Sequence, residues 1–581
     1  MLNLKLANIL TYIAELYKLG PREKDIVFPI MRASRTIRDY PGDINRAYQD
    51  NLLLSLPGIS GEVYGYIQEF FKTGTIEIYE QLTQKYSEQL IKFIRMSGLG
   101  SARMMKVYHM LSADNLESLK NSLQNPRMVS RLTEPEGESI LDSIMVERLS
   151  RTIDFYQQMQ GKIPRGYVEN FIPELIKQIK SLGHVTNIEV TGSARRKKPI
   201  LGDIDILVAT DFNQGDFKVD RTIEFLEQLA GIDYLKAKKS QNTGSLNASF
   251  VYESRLDTDI EIIVCTRSRF IVDLFTTTGN RVHTREVLKI LEQKGIDIYS
   301  CNLESEADIY RLAGLQYVPC ELREGRKEIS MAGQNKLPRL VEMEDIKGDL
   351  HIHSSFSDGL IGEQDLADTI RQHNYQYLAL TDHSHSNIYG NGLDKHRLKD
   401  KLDWVRSLNQ RMGDIRILSG AEVDIKDEGM LDYDDNILKN LDIVIASMHS
   451  SFKYGCSQNT RKAVAALANP YIDFLGHPTG VVFGSRAPYS LDMDQIIQQA
   501  AKYNKALEIN SYFLRLDLDE YNAGKARDAG VKLVINTDSH RPHNLDNIRL
   551  GVDIARRAGL SREEVLNTMD YGSILQWKRN R

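Results

Sequence analysis

The chain has 581 residues, 41% of them hydrophobic, with 74 Lys and Arg against 79 Asp and Glu for a formal net charge of −5. That length implies several domains and that composition implies folded cores, while no apolar run nears the roughly 20 residues of a membrane span, so no membrane partner is expected. Four scattered cysteines (Cys265, Cys301, Cys320, Cys456) form no CxxC pair and Met1–Gly20 lacks a signal-peptide pattern, which argues against a disulfide framework and for a cytoplasmic location.

Residues 1 to about 150 read as helical, with apolar positions at three- and four-residue spacing over Asn3–Leu19 and Asp43–Leu54. Two glycine turns punctuate this part: Leu56-Pro57-Gly58-Ile59-Ser60-Gly61 and Ser97-Gly98-Leu99-Gly100-Ser101-Ala102-Arg103. Each follows one helix and opens another, a pattern that looks like helix-hairpin-helix. There, Gly58, Gly61, Gly98 and Gly100 would let backbone N–H groups approach a DNA phosphate.

From about 150 to 265 the pattern is mixed, with strand-like Ile188–Val190, Ile204–Val208 and Ile260–Val264. Gly192-Ser193-Ala194-Arg195-Arg196 precedes Gly202-Asp203-Ile204-Asp205. Alternate strand residues share a face, so Asp203 and Asp205 project together and need a cation. Mg²⁺ or Mn²⁺ with substrate phosphates fits, and Gly192, Ser193 and Arg196 beside Gly202 suit a triphosphate. Asp259 is the best third carboxylate, although Asp257 and Glu261 share its face. The cationic runs Arg195–Lys198 and Lys236–Lys239 read as surface, with Arg196 favoured for phosphate contact and the second run evenly balanced as a DNA-backbone contact.

Residues 266–318 return to helix and loop, and 319–345, charged and with two prolines, read as a linker. Ten of the 13 histidines follow Asp345. They alternate with acids in short blocks: His351-Ile352-His353, Asp358, Asp382-His383, Glu422, His449, His477 and Asp538-Ser539-His540. Most border apolar strand-like runs such as Tyr377–Leu380, Ile417–Leu418, Ile443–Ala446, Phe474–Leu475 and Leu533–Ile535, with helix-like Glu363–His373 and Asp492–Tyr503 between. That is the βα alternation of a parallel sheet or barrel, whose strand ends converge on one face. Mixed imidazole and carboxylate ligation suits Zn²⁺, Mn²⁺ or Fe²⁺ rather than Ca²⁺. His373, His385, His396 and His543 fall off strand ends and are read as non-ligands.

These blocks, with Lys162-Ile163-Pro164-Arg165, Ala307–Arg311, Glu321–Gly325 and Gly348–His353, resemble the bacterial PolX group over nearly the whole chain. PolX is a family X DNA polymerase fused to a C-terminal polymerase-and-histidinol-phosphatase (PHP) domain. The resemblance implies a multidomain protein: a helix-hairpin-helix, lyase-like domain at 1–92, fingers with the second hairpin at 93–150, an α+β nucleotidyltransferase palm at 151–265, a thumb at 266–318, a linker at 319–345, and an α/β PHP distorted (β/α)₇ barrel at 346–581. It implies metal ligands His351, His353, Asp358, His383, Glu422, His449, His477, Asp538 and His540. Of these, His351, His353, Glu422 and Asp538 hold one ion, His449 and His477 a second bridged by Glu422, and Asp358, His383 and His540 a third. Up to three Mn²⁺ or Zn²⁺ are expected, with Fe²⁺ a further fit. Asp203, Asp205 and Asp259 are the implied catalytic residues of the palm, and Arg165 and Gly279 join its substrate-binding set. The implied function is DNA repair: gap filling with deoxynucleoside triphosphates on gapped or nicked DNA, and metal-dependent 3′–5′ exonuclease action on DNA 3′ ends. A monomer is the default.

The polymerase half departs from the family. The Schiff-base lysine position is Tyr66, with Glu62 at a nearby basic position, and tyrosine forms no imine, so no lyase activity is expected by this route. The Asp-x-Arg pattern becomes Asp259-Ile260-Glu261, and an aromatic-Thr-Gly-Ser turn becomes Thr277-Thr278-Gly279-Asn280. Two alternatives therefore stand: a polymerase half that only binds DNA beside a nuclease, or a small-molecule PHP phosphatase.

Overall fold

The computed structural model describes residues 2–18, 24–38, 40, 42, 44–85, 88–113, 115–133, 140–169, 171–212, 225, 228–232, 235–243, 247–254, 258–411, 415–450 and 454–580. Leu19, Asp43 and Asp257, which figure in the sequence reading, lie outside them. The chain divides into two compact units: Met1–Gln160 with Ser450–Cys456 and Gly480–Ser490, and Gly161–His449 with Ser457–Thr479 and Leu491–Arg581.

The described residues of the first unit between 2 and 160 form helices and turns and no strand. Helices α1 (Leu2–Tyr17), α2 (Lys24–Arg38) and α3 (Gly61–Thr73) bury Leu6, Leu10, Ile13, Ile30, Ile37, Val63, Ile67 and Phe70 in one core. A second core gathers Phe93, Ile94, Met104, Val107, Leu111, Leu149 and Ile153 around α4 (Ser101–Leu111) and α5 (Ser143–Met159). The expected helix Asp43–Leu54 is instead a short helix, Ile44–Gln49, and a 3₁₀ turn, Leu53–Ser55, separated by Asn51 at φ 57°.

The second unit holds two sheets. In the palm, strands β1 (Val185–Thr191), β2 (Asp203–Thr210), β3 (Leu235–Thr243), β4 (Asn247–Ser254) and β5 (Asp259–Thr266) lie in the order β1-β2-β5-β4-β3. The β2/β5 pair is parallel and the others antiparallel. Strands β3 and β4 were not read from the sequence. Helices α6 (Phe270–Thr278), α7 (Arg281–Gln293) and α8 (Glu306–Ala313) follow the sheet, sharing a core that includes Phe275, Val287, Ile309 and Tyr310. Residues 319–345 are packed rather than extended, with a short helix at Glu328–Gly333 and buried Glu321 and Arg323.

Seven parallel strands, β6 (Gly348–Ile352), β7 (Tyr377–Leu380), β8 (Arg416–Asp424), β9 (Ile443–Ser447), β10 (Phe474–Leu475), β11 (Ala506–Asn510) and β12 (Leu533–Asn536), run in sequence order. A parallel bridge between Ile352 and Ser539, with His353 N–H donating to the Ser539 carbonyl at 2.9 Å, brings the first strand to the last. The result is a nearly closed (β/α)₇ barrel. Its core (Leu350, Tyr377, Leu418, Ile445, Phe474, Val534) lies inside the strands, which leaves the C-terminal strand ends to carry polar groups.

Candidate active sites in the palm and the barrel

The palm register sets Asp203 opposite Asp259 and Asp205 opposite Glu261, so four carboxylates cluster at the start of two neighbouring strands. Burial, then Asp203, then Glu261 push the Asp205 carboxyl up to about 7, against the pull of Arg196. Glu261, half-buried, stands beside Asp205 in the parallel register. Asp259 Oδ1 accepts a 2.6 Å hydrogen bond from Lys239 Nζ at the exposed edge of the site, which pairs one residue of the second cationic run with an acid of the palm. The glycine turn after β1 fits around Asp205: Gly192 sits at φ 60°, and a Cβ there would fall 1.7 Å from Asp205 Oδ2. Next to it, Ser193 Oγ is buried with no hydrogen-bond partner among the described residues. That orphaned donor beside paired carboxylates fits a metal-held phosphate. Gly202 is open to solvent at the start of β2, and Gly279 closes α6, where a Cβ would press on Thr284 Oγ1 at 2.5 Å.

Two arginines expected to hold substrate are committed elsewhere. Arg196 is buried. Its Nη1 donates to the Thr278 carbonyl at 2.7 Å and its Nε to Glu324 at 3.0 Å. Arg165, 1% exposed, pairs with Glu169 and, at 2.8 Å, with Asp553. Arg196 thus pairs with the buried Glu324 and Arg165 with the half-buried Glu169 and Asp553, while Arg165 Nε and Nη2 have no hydrogen-bond partner among the described residues. Thr277 and Thr278, in place of an aromatic platform, bond through their hydroxyls to Thr191 at 2.7 and 3.0 Å.

In the helical unit, Gly58, Gly98 and Gly100 have φ of 82°, 61° and 79°, values that favour glycine. The residues before α3 and α4, Ser60 and Gly100, make no side-chain cap hydrogen bond. Tyr66 bonds Tyr17 hydroxyl to hydroxyl at 3.1 Å and Glu62 is exposed.

The barrel gathers all nine of its candidate ligands at the strand C-termini. Glu422 lies at the centre, with Oε1 2.9 Å from His477 Nε2 and 3.2 Å from His449 Nε2, and Oε2 2.7 Å from His383 Nδ1 and 3.6 Å from both His351 and His353 Nε2. Asp538 Oδ1 is 3.1 Å from His353 Nε2 and 3.5 Å from His351 Nε2. Asp358 Oδ1 is 3.6 Å from His383 and 3.4 Å from His540. Three overlapping groups have the spacing of a metal site: His353, Asp358, His383 and His540; His351, His353 and Asp538; and His383, Glu422 and His449. His351 Nε2, Asp358 Oδ1, His383 Nδ1 and Glu422 Oε2 are buried without a hydrogen-bond partner among the described residues, the condition a cation resolves. His373, His385, His396 and His543 belong to none of these groups.

Outer partners aim the imidazoles. Glu508 Oε1 meets His351 Nδ1 at 2.7 Å, Asp424 takes His449 Nδ1, and the Asp538 carbonyl takes His540 Nδ1 at 2.8 Å. Each leaves Nε2 for the pocket. Glu508 also accepts from the His477 N–H at 2.6 Å. It was missed in the sequence, although an acid inside the apolar run Ala506–Asn510 is a signal of this kind. His477 and Asp538 hold positive φ, 25° and 53°, backbone strain that concentrates at functional positions.

The electrostatics are those of a cation site carrying protons. Burial works against charge throughout. Even so, His449, His383 and His351 hold Glu422 well below the usual carboxylate range, and His351, His353 and His540 do the same for Asp538. In turn Glu508, Asp538 and Glu422 raise His351 well above its ordinary value despite burial, and Asp358 lifts His540 to about 9 against its burial. His353, boxed in by burial, His540 and His383, drops to about 4.

Comparison with known proteins agrees with both halves. The PHP domain model matches residues 349–512 and the DNA polymerase beta palm model matches residues 162–283. A DNA polymerase/3′-5′ exonuclease PolX of Bacillus subtilis is 32% identical over 540 residues, 91% of each chain. A probable phosphatase of Thermoanaerobacter sp. strain X514 is 33% identical over 187 residues, 30% of this chain and 74% of its own. A probable phosphatase of Syntrophotalea carbinolica is 25% identical over 238 residues, 38% of this chain and 94% of its own.

Proposed function

This chain belongs to the bacterial PolX family, and on that premise we propose that it is a family X DNA polymerase that fills gaps with deoxynucleoside triphosphates and whose PHP barrel is a 3′–5′ exonuclease on DNA ends. The observation that carries the reading is the convergence of eight histidine and acid side chains around Glu422 in the same chain as the palm carboxylates. The domain boundaries and site residues set out from the sequence belong to this proposal, as do the glycine turns at Gly58–Gly61 and Gly98–Gly100 as DNA-backbone contacts and the cytoplasmic, monomeric state.

In the palm, Asp203, Asp205 and Asp259 hold Mg²⁺ or Mn²⁺, Gly192 admits the Asp205 carboxylate, and Ser193 Oγ donates to a nucleotide phosphate. Arg196 acts at one remove by fixing the Thr278 carbonyl and Glu324. In the barrel, the nine ligands hold up to three Mn²⁺ or Zn²⁺. Bound metals supply Lewis acidity and lower the pKa of water. The residues keep the pocket anionic, set each imidazole's free nitrogen inward and exclude solvent from Glu422.

Glu261 beside Asp205 supports a second reading, in which the front half binds DNA and the barrel alone is active. Paired assays decide between them, with full-length protein, primer extension and degradation of 3′ ends, and metal content measured on the same preparations. On the first reading Asp205→Ala loses extension and keeps nuclease activity, and His353→Ala does the reverse with less bound metal. A wild-type protein with full metal content that extends no primer establishes the second. A protein that leaves every DNA 3′ end intact but hydrolyses small phosphomonoesters overturns both.

A further inference from the structure

The segment Ser511–Leu518, directly after β11, carries an arginine to the rim of the metal pocket. Arg515 Nε lies 3.5 Å from Asp538 Oδ2 and the side chain is 14% exposed. That carboxylate is already served: Asn510 Nδ2 donates to Oδ2 at 3.1 Å, and Oδ1 faces His353 and His351. Arg515 Nη1 is buried and has no hydrogen-bond partner among the described residues. Pairing with Asp538 accounts for Nε and leaves Nη1 unexplained. A buried, charged donor without an acceptor is costly, and a planar guanidinium fork matches a phosphate.

The segment is braced so that the side chain cannot easily turn away. Arg515 N–H donates to the Tyr512 carbonyl at 2.7 Å, and the Asp517 carboxylate accepts from Thr479 N–H at 3.0 Å. Phe513 packs edge-on against Tyr167, with ring centroids 5.2 Å apart. It fills space that Gly166 leaves open, since a Cβ on Gly166 would stand 2.3 Å from Phe513 Cβ.

We propose that Arg515 binds a non-bridging phosphate oxygen of the substrate in the barrel pocket, donating from Nη1. The proposal rests on the phosphoester-hydrolysing reading of the barrel, and its test includes a measurement that needs no turnover. Full-length wild type, Arg515→Ala, Arg515→Gln and Arg515→Lys are loaded with Mn²⁺, their metal content is measured, and inorganic phosphate is titrated into each by calorimetry. Exonuclease kcat and KM are measured on an end-labelled oligonucleotide.

The expected result is metal content equal to wild type, with phosphate affinity and kcat/KM both lowered roughly 10- to 100-fold in Ala and Gln. Lys recovers part of the loss, and added guanidinium restores part of the Ala activity. Unchanged phosphate affinity in Ala and Gln overturns the proposal. So does loss of metal with no guanidinium rescue, which makes Arg515 a brace for Asp538 alone. If wild type binds phosphate through Arg515 yet degrades no DNA, the nuclease reading falls while the phosphate contact stands.

Discussion

Asp205 occupies the space that a side chain at position 192 would fill, and the cost of that fit is written in its proton affinity. Its folded value of about 7 lies above the ordinary carboxyl value of 3.8, so in metal-free protein the folded state binds the proton more tightly than the unfolded chain. Stability therefore falls as pH rises from about 4 and the loss is complete above about 7. Asp205→Asn is expected to raise the metal-free melting temperature at pH 8 and to leave it little changed at pH 4.5, read by thermal unfolding in a chelator. Mg²⁺ is expected to stabilise wild type at pH 8 and not the variant. In the barrel His351 and His540 are raised as well, so their contribution has the same sign and is also lost as pH rises. His351 and His540, the latter at about 9, carry protons at pH 7 in the metal-free pocket, so metal uptake must expel them. Titration of Mn²⁺ into chelator-stripped protein at pH 7, repeated in buffers of different ionisation enthalpy, is expected to show net proton release that shrinks as pH passes about 9. Equal heats across buffers would contradict this.

Secondary-structure elements place these groups through a few buried polar contacts. Lys401, fully buried on the helix Lys395–Arg411, donates to the carbonyls of Leu380 and Gly420 at 2.8 Å each and pairs with Asp382 at 2.8 Å. It ties the ends of β7 and β8 beneath His383 and Glu422. Lys401→Met strands the Asp382 carboxylate in the interior, and a loss of about 3–5 kcal/mol in denaturant unfolding is expected. A change below about 1 kcal/mol would mean that Ser354 and Ser357, which also bond Asp382, suffice. At this scale the sequence was readable wherever periodicity and chemistry coincided. The runs Tyr377–Leu380, Ile443–Ala446 and Leu533–Ile535 are apolar because both faces are covered, and their ligands follow at once. The palm strand Leu235–Thr243 was not readable. Its Lys-Ala-Lys-Lys-Ser-Gln-Asn-Thr pattern carries no apolar alternation, and its strand character comes from pairing with Asn247–Ser254. Glu508 escaped because its partner His351 is remote in the chain, although the strand around it is apolar.

Across the second unit, the palm and the barrel are joined through charges removed from water. Arg557, on α9 (Ile548–Arg557), is fully buried. It donates to the Arg196 carbonyl, 361 residues away in sequence, at 2.5 Å, to Glu324 at 3.0 Å and to Glu520 at 2.8 Å. Nothing local in the sequence announces Glu324 or Arg557 as neighbours of Arg196. Arg557→Met is expected to destabilise the chain by about 3–5 kcal/mol, because it leaves buried acids short of a partner. It is also expected to slow primer extension by loosening the turn at Gly192–Arg196. Unfolding curves and extension rates on the same preparation check both, and an extension rate equal to wild type would detach the turn from the barrel.

A cut through the chain near residue 345 would expose what evolution has sealed: Glu324 without Arg557, Arg165 without Asp553, and Tyr167 without Phe513. Cassettes that recombine freely keep wettable faces where they meet, and these do not. A fragment cut at that point is expected to need new partners for these side chains before it behaves well alone, as the shorter probable phosphatases that match only part of this chain must have.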